Sequence, residues 1–311
     1  MAKISDAPRA HARFKSPADR LFDTFNIVFM ICLMIVTLYP FINTLAVSFN
    51  NATDSVKGGI YLWPRDFTWE NYKYVFNEAT IFHATFISVL RTLIGTVTSV
   101  FCCAMVAYTI SRPEYVLRKF VSIAFILTMY FSGGLIPNFL LIRELGMLGT
   151  FSVYIIPGLI GVFNVIVIRS FIEGLPEGIL ESARIDGAGE FTTFLKIVLP
   201  LCVPVLATVS LFTAVSQWNS WFDVFLYNSS YGELSTLQYE LMKILQNSNS
   251  SLNSGNDYAS QFASSESGAN QVTPTSIRAT MTIVASVPII LVYPFLQKYF
   301  VQGMTLGGVK G

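Results

Sequence analysis

Leu175-Pro176-Glu177-Gly178-Ile179-Leu180-Glu181-Ser182-Ala183-Arg184-Ile185-Asp186-Gly187-Ala188-Gly189-Glu190 lies between two long apolar stretches and continues to Ile197, Leu199 and Pro200. Pro176 suits the first position of a helix, where its missing N–H costs nothing, and Glu177 complements the positive end of the helix dipole. Ile179, Leu180 and Ala183 fall on one face at helical spacing. Gly187 can take the left-handed conformation that ends a helix. Gly189 loosens the chain before a second helical stretch over residues 190–198, which runs into Pro200. The segment therefore reads as a short amphipathic helix, a hinge and the approach to a new apolar run.

Those flanking runs set the protein class. The chain has 311 residues, of which 53% are hydrophobic and only 13% charged. Soluble domains carry about 25% charged residues, and the mean hydropathy here is +0.55. A bilayer core about 30 Å thick takes about 20 apolar residues to cross as a helix. Six stretches qualify: Phe25–Phe49, Phe82–Ile110, Val121–Ile142, Val153–Phe171, Ile197–Tyr227 and Arg278–Val301. The first is too long, and lacks the small-residue cleavage site, for a secretory signal peptide. Gly133, Gly134 and Pro137 predict a bend or a re-entrant piece in the third. The fold class is all-α: a polytopic membrane protein with six transmembrane helices.

Orientation follows from the basic residues. Lys3, Arg9, Arg13, Lys15 and Arg20 precede the first run; Arg112, Arg118 and Lys119 follow the second. Arg169, Arg184 and Lys196 follow the fourth, and Lys298 and Lys310 close the chain. The opposite side holds only Lys57, Arg65, Lys73, Arg143 and Lys243 in longer loops. Both termini are expected in the cytoplasm. On the outer side, residues 50–81 are rich in aromatics and acids, while residues 247–270 of the 231–275 loop are rich in Ser, Asn and Gly, the composition of a mobile connector or insertion.

The composition also excludes several functions. A net charge of +1 offers nothing to nucleic acid. Cys32, Cys102, Cys103 and Cys202 sit in apolar runs without zinc or redox spacing, and read as small buried hydrophobes. With His11 and His83 alone, no metal site is expected. No phosphate-binding Gly-x-x-x-x-Gly-Lys-Ser/Thr segment occurs, so no nucleotide or other cofactor is expected and the chain is not an enzyme. A secondary transporter or channel would not need the 175–190 loop, and an ion-coupled carrier would place ionisable groups at mid-membrane.

Glu181-Ser182-Ala183, Gly187, Ile197, Leu199 and Pro200 resemble the "EAA, Gly, Ile-x-Leu-Pro" loop of binding-protein-dependent ABC importer permeases. Ser182 stands where the family usually has a second alanine. Trp63-Pro64, Asn71-Tyr72, Ser111-Arg112 and the ending Tyr299-Phe300-Val301-Gln302-Gly303…Gly308-Val309-Lys310-Gly311 are similar to the maltose-type carbohydrate branch, nearest the group that imports oligosaccharides and polysaccharide fragments. The resemblance covers most of the chain from about residue 21. It implies a type I ABC importer transmembrane fold in a bacterial cytoplasmic membrane, with a tail over residues 1–20, a shared core over about 82–301 and a coupling loop over about 174–196. The implied partners are cytoplasmic ATPases, a second homologous permease, an external solute-binding protein, a carbohydrate and membrane lipid. The coupling residues are then Ile179, Leu180, Glu181, Ser182, Ala183, Asp186 and Gly187. Ile179 and Leu180 would bury apolar contact, Ala183 and Gly187 would let two backbones approach, and Glu181 and Asp186 would pair with bases on the ATPase. The 231–275 loop corresponds in position to a family loop that reaches into the binding protein.

For the substrate pathway, Gln217-Trp218-Asn219-Ser220-Trp221-Phe222-Asp223 places Trp218, Trp221 and Phe222 within one helical turn, with Asn219 and Asp223 four apart. Aromatic faces plus hydrogen-bonding groups suit pyranose rings, and a carboxylate at membrane depth is expected to face a cavity or a partner. An aromatic belt at the outer interface is the competing reading. Arg91 either lines the cavity or pairs inside the bundle.

Overall fold

A 32-residue helix, α1 (Pro17–Ser48), begins the computed structural model, which describes residues 17–77, 79–253 and 273–306. Only Ala46 and Ser48 are buried in it, and its apolar side chains otherwise lie bare. Water would not tolerate so large an apolar surface, whereas hydrocarbon does. After it come α2 (Ala52–Val56), α3 (Glu70–Asn77) and α4 (Ala79–Ser111). Next are α5 (Arg118–Tyr130), α6 (Leu135–Glu144), a 3-10 turn (Phe151–Tyr154) and α7 (Val162–Ile172). The loop of interest forms α8 (Glu177–Ile185), α9 (Glu190–Thr193), a π turn (Phe194–Val198) and α10 (Leu199–Leu201). The chain continues through α11 (Val203–Asn219), α12 (Phe222–Asn228), α13 (Leu237–Asn253) and α14 (Pro274–Leu306). Among the described residues the sole β feature is an isolated bridge between Asn50 and Phe67.

Among the described residues three helices are long and apolar enough to cross a bilayer unaided: α1, Thr80–Ser111 of α4 and Thr275–Val292 of α14. The third apolar stretch is bent by 118° between α5 and α6. The bend falls at Gly134, whose φ of 90° is left-handed territory that only glycine enters freely. The fourth is not one helix. Its regular part is the 11-residue α7, about 16 Å long, preceded by irregular chain through Pro157, Gly158 and Gly161. The fifth was expected as one run from Ile197. Instead Glu190–Leu201 meets α11 at 81°, because Pro200 and Pro204 remove two backbone donors around Cys202. It breaks again at Ser220, so the expected single helical turn from Trp218 to Phe222 does not exist.

The segments after α1 and after α12 are also more ordered than connectors. Asn50 and Asn71, both buried, tie residues 48–71 together. Asn50 accepts from the Arg65 and Asp66 amides at 2.7 and 2.9 Å, and Asn71 donates to the Ser48 and Asn50 carbonyls at 2.9 and 2.8 Å. Phe49, Phe67, Trp69 and Tyr72 stack over this core. In the 231–275 loop the first half is helix rather than loose chain: Leu237 and Leu241 of α13 pack with Trp218 and Met281. Residues 1–16, 254–270 of the Ser/Asn/Gly-rich stretch and 307–311 lie outside the described residues.

Helix α4 is the spine, packed against α7 and α11, while α14 joins α11 to α1. One apolar cluster gathers Ala107, Tyr108, Ile168, Ile172, Leu180, Phe194 and Val198 at the α8 end of the bundle. Two others occupy the far half, around Trp218 and Met281 and around Tyr154 and Val224.

Candidate functional site

At the α8 end, each local rule acts as chain chemistry requires. Helix α8 starts one residue later than the sequence suggests, with Pro176 as the flanking residue at φ −60° and ψ 124°. It ends in a Schellman motif: the Ala188 amide donates to the Ala183 carbonyl at 2.9 Å and the Gly187 amide to Arg184 at 3.0 Å. Gly187 stands at the left-handed position with φ 77°. A Cβ there would meet nothing of this chain, so the glycine is required by backbone conformation and not by internal crowding.

The faces of α8 differ from the expected ones. Leu180 and Ala183 are buried in this chain, Leu180 within the Ile168–Phe194 cluster. They are therefore not free to bury against another protein. Ile179, Glu181, Ser182, Ile185, Asp186 and Gly187 are exposed, Ile179 the least of the apolar ones. Ile185, which received no role from spacing, is 85% exposed. Its exposure depends on how α8 is seated on the bundle, which the local spacing does not reveal.

Arg184 holds α8 down. It pairs with Glu114 at 2.6 Å, in the loop between α4 and α5, and with Glu190 at 3.6 Å. Glu190 in turn accepts from the Tyr108 hydroxyl of α4 at 2.5 Å. The hydrogen bond from Arg184 holds the Glu114 carboxyl below its ordinary value, and the same bond raises Arg184. Beyond Glu190 the helix widens into the π turn, with the Leu199 amide reaching back to Phe194. The widening relieves Pro200, whose ring would press on the Lys196 carbonyl in a regular helix. Arg184 thus ties α8 to Glu114 just beyond α4 and, through Glu190, to Tyr108 of α4, while the bent joint leads on to α11.

At the other end, Arg91 of α4 is almost fully buried, yet all three of its guanidinium nitrogens have partners. It forms a two-pronged ion pair with Asp223, with Nη1 to Oδ1 at 3.2 Å and a shorter Nη2 to Oδ2 contact. Its Nε donates to Gln217 Oε1 at 2.8 Å, and it lies 4.6 Å from the Tyr154 ring centre. Ser220 Oγ donates to Asp223 at 2.9 Å. The network clasps both sides of the break between α11 and α12. Gly95 makes room for it, since a Cβ there would fall 2.9 Å from Gln217 Cδ.

The remaining pathway residues separate. Trp218 is buried and donates to the Ala285 carbonyl of α14 at 2.8 Å, a tie between helices. Trp221 packs edge-on against exposed Phe222. Asn219 accepts from Gln238 of α13 at 3.1 Å and lines an open groove of about 590 Å³ with Phe212, Val215, Ser216 and Ser220. Gln217 and Tyr154 were given no role by the sequence reading, because their partners come from remote segments; Ser216 lines the groove with its own neighbours. No group of three or more His, Cys, Asp or Glu side chains that could hold a metal occurs among the described residues.

A helical membrane subunit whose capped surface helix is built into its own core, and joined to a bent span, has the architecture of a transport permease that is driven from outside itself. The chain belongs to the binding-protein-dependent transport system inner membrane components, whose family model matches residues 105–306. It is 36% identical to a polygalacturonan/rhamnogalacturonan transport system permease protein of Bacillus subtilis (strain 168), over 94% of this chain and 99% of that one. It is 30% identical to an arabinooligosaccharides transport system permease protein of Halalkalibacterium halodurans, over 89% and 92%. The crystal structure of a bacterial ABC transporter involved in the import of the acidic polysaccharide alginate superposes with a TM-score of 0.82 at 29% identity, covering 93% of this chain and all of that one. The fold is that of a type I ABC importer transmembrane subunit, and the chain is a transport component and not an enzyme.

Proposed function

We propose that this chain is one of two permeases lining the path of an imported carbohydrate of the oligosaccharide or polysaccharide-fragment class. A cytoplasmic ATPase grips α8, and its closure drives alternating access. The observation that carries the reading is the division of α8: Leu180 and Ala183 are rooted in the chain's own core, while Ile179, Ser182 and Ile185 face outward. A helix so anchored transmits force, and one with a bare isoleucine has a face to be gripped. The groove beside Phe212, Ser216, Asn219 and Ser220 combines an aromatic face with hydrogen-bonding groups, which is what a pyranose ring asks of a protein. The relatives' substrates support the carbohydrate class. Both termini lie in the cytoplasm, residues 82–301 form the shared core, and the 231–275 segment meets a solute-binding protein outside.

The test is cross-linking in the assembled importer. With exposed Cys32 replaced, Ile185→Cys and Ser182→Cys should each cross-link to the ATPase, and Leu180→Cys should not. No adduct from either outward position, in a complex that still hydrolyses ATP, would end the proposal.

A further inference from the structure

The α4–α5 corner contains a basic cleft that has no part in the mechanism proposed above. It measures about 600 Å³ and is lined by Tyr115, Val116, Arg118, Lys119, Ser122 and Arg169, among others. Glu173 Oε1 accepts from Arg118 Nη2 and from Arg169 Nε, both at 2.9 Å, so one carboxylate holds two guanidinium groups side by side. Arg169 Nη1 also donates to Ser122 Oγ at 2.7 Å, which locks the α7 arginine against α5. Lys119, exposed beside them, has no ion pair among the described residues. Three cations against one carboxylate leave a positive surplus, and the held guanidinium groups still have Arg118 Nη1 and Arg169 Nη2, besides Lys119 Nζ, to offer to phosphate oxygens.

The surroundings say which phosphate. None of the residues of α5 is buried, so the helix runs along the outside of the bundle. Phe120 and Ile123, 71% and 58% exposed, flank the cations, and Val116 at the rim is 93% exposed. Bare apolar side chains one turn from a basic cleft, at the end of a membrane helix, match a lipid whose tails meet the first and whose headgroup meets the second. The cleft shares its side of the molecule with α8 through the Glu114–Arg184 pair.

We infer that this cleft binds the phosphodiester headgroup of an anionic phospholipid of the inner leaflet, with Lys119, Arg118 and Arg169 as its ligands. The inference does not require the sugar assignment to be right. Native mass spectrometry of the delipidated complete importer, given phosphatidylglycerol or phosphatidylcholine, tests it. Phosphatidylglycerol should be retained preferentially, and Lys119→Glu should weaken that retention by about tenfold or more while ATPase activity and complex assembly stay unchanged. Lys119→Arg should keep it. Equal retention of the two lipids, indifference to Lys119→Glu, or displacement by inorganic phosphate (which would make this a free-anion site) would each overturn the inference.

Discussion

Arg91 and Gly187 show how single residues carry different loads. Arg91 is 3% exposed and Asp223 23%. Removing one member of a buried pair leaves a stranded charge and costs about 3–5 kcal/mol, while replacing both with apolar groups is far milder. The partial exposure of Asp223 moves the expectation towards the lower end. Arg91→Met should therefore lower the melting temperature of the purified protein markedly, and Arg91→Met with Asp223→Leu should recover part of the loss. A single variant that melts like the parent would show that the network carries no load. At Gly187 the constraint is the backbone: a side chain at φ 77° costs about 1–2 kcal/mol locally. Gly187→Val should leave membrane insertion intact and sharply reduce transport-stimulated ATPase activity. Full stimulation would mean that the cap conformation is irrelevant to drive.

In the proposed mechanism, helix α8 serves as a lever because of what it is bolted to. Its inner face is held by Leu180 and Ala183, and its end by Arg184 on Glu114 and Glu190. The depressed pKa of Glu114 means that its grip is fully present above the ordinary glutamate value of 4.5 and is lost as pH falls through the lowered folded value. Hydrogen exchange of α8 amides, corrected for intrinsic rates, should therefore be flat from about pH 7 to pH 5. Glu114→Gln should speed it modestly, by less than about tenfold, since the pair is exposed to solvent. An acid-driven loss of protection already complete at pH 5 would contradict this picture. The amphipathic spacing of α8 and its glycine stop are local properties, and both are visible in the residues. Which of Ile179, Leu180, Ala183 and Ile185 turns inward is not, because it depends on where α7 and the π turn stand.

At the scale of the whole molecule, the bundle is anchored at both ends, and a groove opens beside α11. Asn219, Ser216 and Phe212 face that groove, whereas Trp218 is spent on α14. Asn219→Ala should raise the substrate concentration needed for half-maximal uptake by roughly 3–15-fold, the loss of one or two hydrogen bonds, with little change in assembly. Unchanged uptake kinetics across Asn219→Ala and Ser216→Ala would remove the groove from the path. Trp218→Phe should instead act through stability, by removing the bond between its indole N–H and the Ala285 carbonyl of α14.

The amino-acid order by itself determined the membrane class, the positions of the six apolar runs, the glycine-stopped helix before Gly187 and the bend at Gly133–Pro137. Each follows from composition, period or backbone preference within about 20 neighbouring residues. Tertiary structure alone decided that Arg91 meets Asp223 across 132 positions, that Trp218 points into the core and that α13 is a packed helix. It also decided that Arg118 and Arg169 share Glu173. Such pairings depend on which remote surfaces the packing of α4, α7 and α11 brings within 3 Å or so, and hydrogen-bond energy falls away too steeply with distance for local spacing to encode them.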